Sequence, residues 1–262
     1  MTEALVEYDS QDQIATLTLN RPEKLNAFND DLVRHLMDAL RRFDLDPEAQ
    51  VAIICGKGRG FSSGADVHQR QLRRREEFEE HGGPQGWGAN SADLLTRAVN
   101  WKPVIAAPHG YAMGLALGIV FECDLIVAEA GTKFQVTETS RGLGGSKYWA
   151  LLNFRGGAAF ATEVALTGRF FTAEEAFAAG LINRVAPEGQ HLEVARQLAA
   201  GIAKIPPLSV RATVRTRRWY MEQIEREVIM QTAPLKLYLT DDFHEAARAF
   251  AERRRPCPFK GR

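Results

Sequence analysis

Alternation of Ala15, Leu17 and Leu19 with Ile14, Thr16, Thr18 and Asn20 predicts a strand over residues 13–20. A shorter strand over 4–8 precedes it, across a polar turn at residues 9–12. The period then changes to that of a helix: Leu32, Leu36, Leu40 and Phe43 share one face, and Asn29 is placed to cap it. A continuous apolar run at 51–55 predicts a buried strand, and four glycines between Gly56 and Gly64 give the following loop access to positive φ. Residues 68–90 interleave Arg with Glu before turning glycine-rich, the pattern of a solvated helix and loop. Further strands are expected at 104–107, 125–129 and 181–185. Thr172 and Glu175 have capping-box spacing for a short helix that Gly180 ends. From about Ser209 strand signals give way to long amphipathic helices over roughly 209–238 and 242–254. A boundary near Ile205–Pro207 therefore divides a β/α core, residues 1–205, from a helical C-terminal part, 206–262.

The chain is organised around PVIAAPHGYAMGLALGIVFECD, residues 103–124. A buried strand stops at Pro108, the chain turns through Gly110 to Gly114, and a helix starts near Leu115 and ends about Cys123. The first amides of a helix have no partner within it, so this start favours an oxygen that carries or develops negative charge. The same pattern also suits a plain core strand, turn and helix.

Composition narrows the function. The 262 residues can bury a sizeable core, and 33 Lys plus Arg balance 33 Asp plus Glu, which removes any global argument for a nucleic-acid or anionic-membrane partner. Nothing near the N-terminus resembles a signal peptide, and no apolar run reaches membrane-spanning length. With three widely spaced cysteines, Cys55, Cys123 and Cys257, the expectation is a cytoplasmic protein with reduced thiols. The six histidines show no metal-ligand spacing, so no metal is expected. GKGRGFSSG lacks the ending of a nucleotide phosphate loop, and no serine sits in a nucleophile elbow.

Three stretches, LNRPEKLNAF (19–28), GRGFSSGADV (58–67) and KPVIAAPHGYAMGLALGIVFECD from Lys102, resemble the crotonase, or enoyl-CoA hydratase/isomerase, superfamily. LTGRFFTAEEAFAAGLINRV (166–185) and the tail ending FKGR are similar to it as well, so the resemblance spans essentially the whole chain. It implies an α/β fold, a spiral of repeated ββα units with a C-terminal helical trimerisation segment, assembled as trimers or dimers of trimers. It also implies an acyl-CoA substrate whose thioester carbonyl is held by two backbone N–H groups, here those of Ala65 and Leu115. Donors fixed in place before reaction can stabilise an enolate by roughly 2.7–4 kcal/mol each. Because the donors are main-chain, Leu can stand at 115 where the family usually has glycine. CoA contacts map onto Ala65, Asp66, Val67 and His68, with Lys24 near the diphosphate and Phe259 and Lys260 supplied by a neighbouring subunit. CoA is part of the substrate, and no separate cofactor is implied.

One departure bears on the reaction. Hydratases of this family use two glutamates, and the alignment puts Gly118 at the first and Glu138, in FQVTET, at the second. A single carboxylate can act first as base and then as acid, moving a proton from one carbon to another through the enolate. The resemblance therefore favours double-bond isomerisation or a related proton transfer or lyase reaction, with hydration second and a non-catalytic CoA-ester binder as the rival. Glu122, four residues beyond Gly118, reads as a helix-surface or interface carboxylate. Arg141 could meet a substrate carboxylate or pair with an acid, and Trp87, Tyr148 and Trp149 are candidates to line an acyl pocket.

Overall fold

The computed structural model describes residues 4–83 and 101–262. Trp87 lies outside the described residues. Nine strands follow in chain order among those residues: β1 (Val6–Gln11), β2 (Ile14–Leu19), β3 (Val51–Gly56), β4 (Val104–Ala106), β5 (Tyr111–Met113), β6 (Leu125–Glu129), β7 (Lys133–Gln135), β8 (Phe170–Thr172) and β9 (Arg184–Ala186). They form a six-stranded sheet, β1-β2-β3-β4-β6-β9, and a three-stranded sheet, β5-β7-β8. The β1–β2 hairpin is antiparallel, and from β2 onward the large sheet is parallel. Successive turns of chain give one strand to each sheet and then a helix: β4, β5 and Leu115–Glu122, then β6, β7 and Ser146–Arg155. This is the α/β spiral that the resemblance implies.

The apolar run of β3 is continuous because both its faces are covered. Ala52 and Ile54 join the core beneath helix Asp30–Leu45, which offers Leu32, Leu36, Leu40 and Phe43 as its spacing predicts. Val51, Ile53 and Cys55 face a second layer, built with Ala195 and Ala199 of helix His191–Ala203. Asn29 caps the first helix by accepting from Leu32 N at 2.9 Å, and Thr172 and Glu175 form the expected capping box.

Differences from the sequence reading fall where elements are short. Tyr111–Met113 is a strand rather than part of a turn, and the strand expected at 181–185 is instead Arg184–Ala186. Three-residue strands carry too few alternations to be read by period, and it is pairing with β7 or β6 that creates them. The long C-terminal helix runs Pro207–Thr232, stops at two 3₁₀ turns and resumes as Asp241–Ala251. It is tied to the core through Asp124, whose carboxylate accepts from Arg218 Nη2 at 2.6 Å and from Val104 N at 2.8 Å. No helix among the described residues is long and apolar enough to cross a membrane.

Asn26 is the polar knot of the N-terminal half. It is fully buried, its Nδ2 faces the carbonyls of Lys57 (2.9 Å), Gly60 (3.2 Å) and Phe61 (3.0 Å), and its Oδ1 accepts from Arg21 N at 2.9 Å. Its φ of 52° is also one that Asn tolerates better than most residues. Asn26→Ala strands several buried backbone groups at once and is expected to lower the unfolding free energy by about 2–4 kcal/mol, measured by urea denaturation.

Candidate active site

Three stretches distant in sequence are zipped side by side. Ser63 N donates to Leu25 O (3.0 Å), Phe28 N to Gly64 O (2.8 Å) and Asp66 N to Phe28 O (3.0 Å). On the other flank Phe61 N donates to His109 O (2.9 Å), Ser62 N to Tyr111 O (3.1 Å) and Met113 N to Ser62 O (3.2 Å). Gly114 N then donates to Gln135 O at 2.9 Å, which joins the third stretch to the segment that carries Glu138.

This pairing aims two amides. In the parallel bridge between Phe28 and Ala65, Phe28 bonds residues 64 and 66, so the Ala65 N–H faces the other way. Leu115 is the first residue of helix Leu115–Glu122, and its N–H is one of the groups no helix satisfies internally. Neither amide has an acceptor among the described residues. Gly64 makes their approach possible. Its φ is +93°, and a Cβ there would lie 2.5 Å from Met113 O and 3.7 Å from Leu115 N. Leu115 keeps its side chain because that side chain is buried in the core, away from the hydrogen-bonding edge.

Ala65 and Leu115 line a cavity of about 380 Å³ together with Glu138. Lys24, Asp66, Val67 and His68 line it too. Asp66 is held by Arg21 Nη1 at 2.9 Å and caps the turn Val67–Arg70. Phe259 and Lys260 do not line this cavity within the single chain. Phe259 is half exposed, and Lys260 borders a separate groove where its N–H donates to Asp242 at 2.7 Å.

Glu138 sits at the start of the 3₁₀ turn Thr139–Arg141, and its own carbonyl accepts from Arg141 N (3.0 Å) and Leu143 N (2.9 Å). Its carboxylate lies against Gly114, where a Cβ would come within 2.9 Å of Oε1. Burial pushes the Glu138 carboxyl up to about 7, with backbone donors and the Tyr148 and Thr137 hydroxyls pulling in the opposite direction. A carboxyl balanced between its two forms near neutral pH can both take and return a proton.

At Gly118, where the resemblance expects a first glutamate, the fold places an aromatic ring. A Cβ on Gly118 would lie 2.7 Å from Tyr148 Cε1, so the buried Tyr148 ring takes up the adjoining space. Burial, and then the charge of Glu138, hold the Tyr148 phenol above its ordinary range, which keeps it a hydrogen-bond donor. Glu122 is not a surface carboxylate. It is fully buried, 3.1 Å from Lys147 Nζ, and Lys147 also lies 3.4 Å from Glu225. Glu225 lies within helix Pro207–Thr232 and Lys147 on helix Ser146–Arg155, an arrangement that the local pattern around Glu122 does not disclose. Trp149 is partly exposed and donates to Thr162 Oγ1 at 3.0 Å. The lining also includes residues that were not candidates from sequence, Arg21 and Phe250 among them. Arg21 stands inside a quoted motif and could have been found there. Phe250 reaches the cavity only because helix Asp241–Ala251 docks beside the turn Thr139–Arg141, for which no local signal exists.

Residues 9–262 match the family model described as enoyl-CoA hydratase/isomerase. The chain is 33% identical to 2,3-dehydroadipyl-CoA hydratase of Escherichia coli over the whole of both chains. It is 34% identical to mevalonyl-coenzyme A hydratase of Aspergillus fumigatus, over 93% of this chain and 90% of that one. Among solved structures, carnitinyl-CoA hydratase from Mycobacterium avium superposes with a TM-score of 0.82 at 28% identity, covering 100% of both chains.

Gly64→Ala adds a side chain at a positive φ and against a carbonyl. It is expected to cost about 2–4 kcal/mol in urea unfolding and to impair any reaction that uses the two amides. Glu138 provides a second check. Its folded-state pKa is raised above the ordinary 4.5, so the folded protein binds the proton more tightly and stability falls as pH rises from about 4.5 to 7. Glu138→Gln escapes that loss, and its stability relative to wild type should rise by up to roughly 2–3 kcal/mol between pH 5 and pH 8 in parallel denaturation curves.

Proposed function

The chain belongs to the enoyl-CoA hydratase/isomerase family, and from that premise we propose that it moves a proton between carbons of an acyl-CoA through a thioester enolate. The Ala65 and Leu115 amides hold the carbonyl oxygen as it becomes negative, and Glu138 is the single acid/base. Lys24, Asp66, Val67 and His68 contact the CoA portion, which is substrate and not cofactor. Phe259 and Lys260, which do not line the cavity of their own chain, serve a neighbouring copy in a trimer or dimer of trimers.

The observation that carries this reading is the pairing of a near-neutral carboxyl with two unpartnered amides in one cavity. Asp66 is the other carboxylate lining that cavity among the described residues, and Arg21 already holds it. Gly118 offers no second carboxylate, and Tyr148 blocks the room for one. Double-bond isomerisation follows, because one group on the face of an enolate can remove a proton from one carbon and return it to another. Hydration is the second reading, favoured by the names of the relatives as hydratases. It would require Glu138 to orient and activate a water unaided.

The test is exchange of the α-proton of a saturated acyl-CoA with deuterated solvent, alongside conversion of a 3-enoyl-CoA to its 2-enoyl isomer. Glu138→Gln is expected to slow both by about 10²–10⁴-fold. In the wild type kcat/KM should fall with acid around a midpoint near pH 7, because the base must be ionised and burial raises Glu138 to about 7. Full activity in Glu138→Gln rejects the assignment. Hydration of crotonyl-CoA faster than isomerisation would promote the second reading.

A further inference from the structure

Arg141 lines the same cavity as Glu138 and the two amides. It lies one 3₁₀ turn beyond Glu138, and the Arg141 N–H donates to the Glu138 carbonyl at 3.0 Å. Its guanidinium carbon is 3.5 Å from the centroid of the Phe250 ring. Stacking of this kind covers one face of the planar group and leaves its N–H edge available for a flat, two-oxygen acceptor.

Among the described residues no carboxylate comes within the 4.0 Å of an ion pair with Arg141. The contrast with Arg21 is direct, since that cavity-lining arginine is bonded to Asp66 at 2.9 Å and to Ala27 O at 2.8 Å. Burial lowers the pKa of Arg141, with the more distant Glu138 charge opposing, so the fold spends stability to keep a cation here without a close counter-charge. An anion from the substrate would supply it.

We infer that Arg141 is a specificity residue that binds a carboxylate carried on the acyl group, so that the preferred substrates are CoA thioesters of acids bearing a second carboxyl. The inference rests on the enolate reading, because that reading sets the orientation. With the thioester carbonyl at Ala65 and Leu115, Glu138 is beside the reacting carbons, and Arg141 lines the cavity from the same turn as Glu138. The phosphates of CoA are separated from the thioester by the whole pantetheine chain. A phosphate and a carboxylate share the chemistry that Arg recognises, so the test separates them.

Dissociation constants are measured by calorimetry for glutaryl-CoA against valeryl-CoA, suberyl-CoA against octanoyl-CoA, and free CoA. These saturated esters are used with wild type, Arg141→Gln and Arg141→Lys. Wild type is expected to favour the carboxylated member of at least one pair by about 30-fold or more, and Arg141→Gln to bring that ratio close to one, with Arg141→Lys between them. The ratio is taken within one protein preparation, so a partly unfolded variant does not imitate the result. A ratio near one in wild type, or an undiminished ratio in Arg141→Gln, overturns the inference. Weakening of free CoA as large as that of glutaryl-CoA also overturns it and assigns Arg141 to a phosphate. Exchange of the valeryl-CoA α-proton, measured in the same wild-type preparation, keeps the two readings apart. Exchange without carboxylate preference removes only the role of Arg141, whereas failure of every CoA ester to bind removes both.

Discussion

The close approach of two backbone segments, residues 62–65 and 112–115, is the constraint on which the site depends. Hydrogen bonds between Ser62 and residues 111 and 113 hold the segments parallel, and Gly64 lets them come together where any side chain would strike Met113 O. Each segment ends on an amide that its neighbours leave unbonded. A buried N–H without a partner is costly to a fold, so two of them facing one cavity mark a place where an external oxygen completes the hydrogen-bonding pattern. The Asn26 knot and the Phe28–Ala65 bridge brace this arrangement from the other side, so the donors are set before any ligand arrives.

The electrostatics of the cavity follow from burial acting on different groups in opposite senses. Burial favours the neutral carboxyl of Glu138 and the neutral phenol of Tyr148, and it disfavours the charged guanidinium of Arg141. Where a counter-charge is within reach the cost is offset, as at Arg21 with Asp66 and at Glu122 with Lys147. Where it is not, as at Glu138, the group is left poised for proton transfer. Glu122 shows how two glutamates of one family-like region part company. One is locked into an ion pair with Lys147, and the other faces the cavity with only hydroxyl and backbone donors around it.

Gly118 connects sequence and packing. Gly118 carries no side chain, and the neighbouring helix Ser146–Arg155 brings Tyr148 into contact with that position. The aromatic ring makes the glycine self-consistent as packing, since a glycine facing empty space would leave a cavity in the core. The consequence is chemical as well as structural. A phenol held neutral beside Glu138 can donate a hydrogen bond but does not replace a base.

Much of the frame was legible from residues alone. The helix under Leu32, Leu36, Leu40 and Phe43, the buried strand at 51–55, and the caps at Asn29 and Thr172 are local effects of period and side-chain chemistry, and they stand where expected. The motifs carrying Ala65 and Leu115 named the family, which the whole-chain match bears out. What only the tertiary structure decided is everything that depends on contacts between distant segments. The three-residue strands β5, β7 and β9 exist because partners lie beside them, Glu122 is buried because Lys147 reaches it, and Phe250 meets Arg141 because the last helix folds back. The reason is physical: period and capping act within one or two turns of chain, whereas burial, counter-charges and the pKa of Glu138 are properties of an environment assembled from five separate stretches.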